Sequence, residues 1–82
     1  MSVSSARYDI LIADVKRIYA DMKAAVKNGT ATRAQLHEAC KTIKEKHQYA
    51  KEKKEFFYFS FFKDKKIERI ARKIDALIGN LP

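Results

Sequence analysis

Eighty-two residues leave room for one domain, 1–82, and a chain this short buries a smaller share of its surface than a large domain does. Cys40 is its single cysteine, which excludes an internal disulfide and points to a reducing, cytoplasmic setting. The formal charge of +8, from 18 basic and 10 acidic residues, favours anionic partners: nucleic acid, a membrane surface or an acidic protein.

The first element is marked by Tyr8, Leu11, Ile12, Val15, Ile18, Tyr19, Met22, Ala25 and Val26, which recur at three- and four-residue steps. That spacing puts one apolar face on a helix over about 5–28. Ser4 or Ser5 is placed to cap its start, and Arg17 and Asp21 to pair on its wet side. Asn28-Gly29 ends it, since both residues tolerate the left-handed conformation of a C-terminal cap.

Thr32-Arg33-Ala34-Gln35 fits a capping box and opens a second helix over 33–56. Its stripe is Leu36, Cys40, Ile43, His47 and Ala50, and its opposite face carries Lys41, Lys44, Lys46, Lys51 and Lys53. No glycine or proline stands between Thr30 and Ile78, so no strong breaker marks where this helix stops. The phase of the stripes supplies the missing signal. Carried forward, the second stripe falls on Lys54, Phe57, Phe61 and Asp64; the last stripe, Ile67, Ile70, Ala71, Ile74, Leu77 and Ile78, carried backward falls on Lys63, Ser60 and Phe56. The registers disagree, which predicts a turn between 57 and 63 with Ser60 or Asp64 as the next cap. A third helix over 63–78 then stops at Gly79-Asn80, and Leu81-Pro82 trail away. One long kinked helix over 33–78 is the competing reading. A strand through 56–62 has nothing to pair with. The expected fold class is therefore all-α, an up-down-up antiparallel three-helix bundle.

The stretch 56–62 holds six aromatic rings within seven residues: Phe56, Phe57, Tyr58, Phe59, Phe61 and Phe62. Lysines flank it on both sides. A helical turn points side chains in every direction, so six rings cannot all face one core. Some are expected in the core and others at a contact with a partner protein, a second copy or a lipid interface, because aromatic side chains dominate interface hot spots. Membrane insertion ranks behind these, since Glu52, Glu55 and Asp64 oppose an anionic surface.

The positive charge is even along the chain, +2 over 1–28, +3 over 29–55 and +3 over 56–82, rather than gathered in a tail. Lys41, Lys44, Lys51, Lys65, Lys66, Arg69, Arg72 and Lys73 are the candidates for phosphate contacts with nucleic acid. With 13 lysines to 5 arginines, base-specific reading is disfavoured.

His37, Cys40 and His47 are metal-ligand types on one helix, but at 1.5 Å per residue they spread over roughly 15 Å, too far for one ion. At most His37 and Cys40 share an ion with a residue from elsewhere. A buried cysteine and a hydrogen-bonded imidazole explain Cys40 and His47 more simply. No glycine-rich phosphate loop, HExxH, CxxC or GxSxG motif occurs. No run approaches the roughly 18 apolar residues that cross a bilayer, and no basic-then-apolar leader opens the chain. These readings converge on a small, non-enzymatic binding or regulatory protein without a cofactor or a small-molecule substrate. Its expected partner is a protein, itself included, met through the aromatic stretch; nucleic acid and an anionic membrane are the alternatives.

Overall fold

The computed structural model describes residues 3–81, and it is all-α: 83% helical, with three helices that all touch one another and no strand among the described residues. The helices are α1 (Val3–Lys27), α2 (Arg33–Lys53) and α3 (Phe61–Leu77), followed by a 3-10 turn at Ile78–Asn80. Cross-helix contacts fix their directions. Ser4 meets Glu55 and Asp14 meets Lys46, so α2 runs against α1. His47 meets Asp64 and Cys40 meets Ala71, so α3 runs against α2, beside and parallel to α1. The bundle is a rod of 46 × 17 × 16 Å.

Local signals set most of the helix ends. The Thr32 Oγ1 accepts the Gln35 N–H at 3.1 Å while the Gln35 Oε1 accepts the Thr32 N–H at 3.0 Å, a complete capping box. Gly29, at φ +74°, closes α1: the Thr30 N–H reaches the Ala25 carbonyl and the Gly29 N–H reaches that of Val26. This is the double-bonded left-handed cap expected of Asn-Gly.

The stripes meet along one axis. All five stripe residues of α2 are buried, with Tyr8, Leu11 and Val15 from α1 and Ile67, Ile70, Ile74 and Leu77 from α3. Ile12, Ile18, Tyr19, Met22, Val26, Ala71 and Ile78 pack half-buried around them. Burying each large aliphatic side chain is worth about 1.5–3 kcal/mol, so this seam holds the bundle together.

Four expectations are corrected. Helix α1 begins at Val3, so Ser4 lies inside its first turn; its buried hydroxyl accepts the Glu55 N–H at 2.6 Å instead of capping α1. Arg17 pairs with Asp14 at 2.8 Å, not with Asp21, because long helical side chains lean towards the N-terminus, and Asp14 also bridges to Lys46 of α2 at 2.7 Å. Helix α2 stops at Lys53 and α3 starts at Phe61, so the turn spans 54–60, upstream of the predicted 57–63. The physical reason is tertiary: Glu55 gives its N–H to Ser4 of another helix, and an intrahelical bond is lost. The single long helix is thereby excluded. Leu81 does not trail away but packs half-buried on the core, while Pro82 lies outside the described residues.

Candidate functional site

The aromatic stretch is shaped by a hydrogen-bonded chain beneath it. His47 Nε2 lies 2.6 Å from Asp64 Oδ1, joining α2 to the first turn of α3. The Ser60 hydroxyl donates to Asp64 Oδ2 at 2.7 Å and accepts from Lys54 Nζ at 2.9 Å. Ser60 thus occupies the cap position of α3, as one of the two expected residues, yet its side chain points to Asp64 rather than to a backbone amide. Burial pushes the Asp64 carboxyl up, but the hydrogen bonds from His47 and Ser60 outweigh it and hold the group below the usual carboxylate range. Tyr8 packs edge-on against His47, and burial pushes its phenol up to about 12. The Tyr8 hydroxyl lies beside Ser60 and Asp64 without a well-formed hydrogen bond to either.

With both ends of the connection tied down, the Tyr58 N–H closes a turn onto the Glu55 carbonyl at 3.0 Å, and Phe56 and Phe57 stand at its tip. Tyr58 folds back onto Tyr8, ring centres 5.7 Å apart, and is the one ring of the six that packs on the core. The other five are exposed: Phe56 entirely, Phe57 81%, Phe59 74%, Phe62 76% and Phe61 50%. Phe59, Phe61 and Phe62 gather into a cluster with centres 5.4–6.3 Å apart, Phe61 and Phe62 edge to face. The division between core and surface is therefore one ring to five. The reason is positional: these rings leave the chain beyond the end of α2 and at the start of α3, where Tyr8, Ala50 and Ile67 already close the core.

Cations surround this end. Lys65 Nζ sits 5.6 Å from the centre of the Phe61 ring, and Lys63 Nζ 5.9 Å from that of Tyr58. Lys63 also reaches Asp9 at 2.7 Å, and that hydrogen bond raises its ammonium pKa. Arg7 and Lys53 flank the exposed Tyr49 ring at 5.6 and 5.7 Å.

The eight candidate phosphate-contacting residues do not share one face. Lys41, Lys44 and Arg72 border the groove between α2 and α3, in company with Glu45, Glu68 and Asp75. Lys65 pairs with Glu68 at 3.7 Å, and Lys51 stands exposed in the last turn of α2. On the other side of α3, Lys66 meets Lys16 of α1; the neighbouring Lys16 amine, with Arg69 behind it, lowers the Lys66 pKa. Lys73 lies 5.9 Å above the Tyr19 ring on the same seam. Lys16 carries no signal in the sequence, because only the packing of α1 on α3 brings it to Lys66.

The metal-ligand types are not assembled. His37 is exposed, His47 is engaged by Asp64, and the Cys40 thiol points to the Ala71 carbonyl at 3.7 Å. Burial, and then Asp75, pushes that thiol up, away from the thiolate a ligand or nucleophile needs. Among the described residues no three metal-ligating side chains come together, and no described helix is long and apolar enough to cross a membrane.

Fold and site together define an all-α three-helix bundle that carries an exposed phenylalanine cluster with a basic surround at one end. Comparison with protein-family models, with curated proteins and with solved structures finds no match for the chain.

Proposed function

We propose that this chain is a non-enzymatic docking protein of the cytoplasm whose working surface is the phenylalanine end of the bundle. The observation that carries the reading is the exposure of Phe56, Phe57, Phe59, Phe61 and Phe62 on one end of a molecule whose core is complete without them. Contiguous apolar patches on small proteins mark contact sites, since leaving several rings in water has no compensation inside the fold. The hydrogen-bonded chain from Lys54 to His47 then has the role of a pedestal that presents the rings.

The test separates a working surface from a structural one. Changing Phe57 and Phe62 together to serine is expected to leave the thermal midpoint within the small range of surface substitutions, about 0.5 kcal/mol each. Ile67→Ala, at a fully buried position, is the control and costs about 2–5 kcal/mol. A loss in the phenylalanine variant as large as that of the control would assign the rings to stability and remove the reading.

The Lys16–Lys66 approach favours a second reading, phosphate-backbone binding along the seam of α1 and α3. Lys16 stands near enough to Lys66 to lower its pKa, Arg69 adds a weaker push, and a phosphate beside them would relieve that repulsion. Duplex binding that falls steeply with salt and is lost in Lys16→Glu and Lys66→Glu supports it; binding indifferent to these changes discards it.

A further inference from the structure

We infer that the phenylalanine end is an insertion tip for anionic lipid bilayers, seated with the rod end-on to the surface; this rests on the docking reading above. Side-chain character changes in order along the rod. Phe56, Phe57 and Phe59 come last, on the connection between α2 and α3. Tyr49, with Arg7 and Lys53 flanking its ring, stands one turn back, about 6 Å from the end of α2 at 1.5 Å per residue. On α3 the His47–Asp64 contact puts Phe61 and Phe62 level with Tyr49, and Lys65 and Lys66 about one turn further from the tip. Apolar rings outermost, with tyrosine and cations behind, is the order of a bilayer boundary, where rings enter the acyl region and cations meet lipid phosphate.

Of the acids that speak against this in the sequence, Asp64 is turned inward, while Glu52 and Glu55 stay at this end. Asp64 faces His47 and Ser60 and Asp9 is held by Lys63, whereas exposed Glu52 meets the neutral Gln48 amide and half-buried Glu55 stands on the turn itself. The basic groups at this end, Arg7, Lys53, Lys54, Lys63, Lys65 and Lys66, still outnumber these four acids.

A second copy of the chain fits the tip less well. Two copies meeting there bring two chains of +8 together. An anionic bilayer has no such repulsion, because it carries the opposite charge.

The experiment is co-sedimentation of the full chain with vesicles of phosphatidylcholine, pure or with one quarter phosphatidylserine, at low and high salt. The expected result is partitioning onto the anionic vesicles, weakened by salt and about tenfold or more weaker on pure phosphatidylcholine. Changing Phe57 and Phe62 together to serine is expected to reduce it by about a hundredfold, with an unchanged melting curve, at about tenfold per ring removed from lipid. Lys65→Glu with Lys66→Glu is expected to remove the preference for phosphatidylserine. Absence of partitioning, or equal partitioning of the phenylalanine variant, overturns the inference. If its melting curve is unmoved, the docking reading survives. A concentration-dependent dimer that ignores vesicles overturns it too, and assigns the tip to a second copy.

Discussion

Replacing Asp64 with asparagine keeps the shape of the side chain and removes the charge on which the chain from His47 to Ser60 converges. The two hydrogen bonds to this carboxylate, at 2.6 and 2.7 Å, are charge-assisted, and their partners are buried: His47 is 6% and Ser60 2% exposed. Hydrogen bonds to charged groups contribute about 1.5–3 kcal/mol and neutral ones about 1, so turning both into neutral contacts costs about 2 kcal/mol. For a domain of this size that lowers the melting temperature by about 10 °C. The assay is a far-ultraviolet circular dichroism melt at neutral pH, repeated into acid. In the folded protein the Asp64 carboxyl lies below its ordinary value, so its contribution is complete above the ordinary carboxylate pKa of about 3.9 and disappears as pH falls through the lower folded one. The native chain and Asp64→Asn should therefore differ at neutral pH and converge in acid. Amide exchange at Tyr58, whose N–H closes the turn, should quicken in the variant. Equal melting at neutral pH, or a gap that persists undiminished into strong acid, would refute the role assigned to this carboxylate.

Two further outcomes follow from the same geometry. Thr32→Ala removes the acceptor of the Gln35 amide and should cost about 1 kcal/mol in chemical denaturation, while Thr32→Ser should be nearly silent; no difference between the two would mean the cap contributes nothing. Cys40 is buried and its thiol pushed up, so alkylation by iodoacetamide should be far slower in the native chain than in denaturant, and equal rates would contradict the packing of α2 on α3.

The sequence by itself determined the helices and their buried faces. Periodicity, a capping box and a left-handed glycine act through residues within a turn of one another, so they are legible without neighbours. The five stripe residues of α2, the Thr32–Gln35 box and the stop at Gly29 stand where the pattern put them. Even the break between α2 and α3 left a trace, as a mismatch of phase. Its position did not, because α2 ends where the Glu55 amide finds Ser4, a partner 51 residues away. The aromatic stretch divides for the same reason. Whether a ring is core or surface depends on how the turn between α2 and α3 aims it, and among the six rings Tyr58 reaches back to Tyr8. Charge behaves likewise: composition states its sum, but packing alone turns Asp64 inward and brings Lys16 to Lys66. Local order follows from near neighbours in the chain, whereas the candidate site is made of distant ones. That is why the bundle, and the need for some outward rings, could be read from the sequence, and which of the six rings face outward could not.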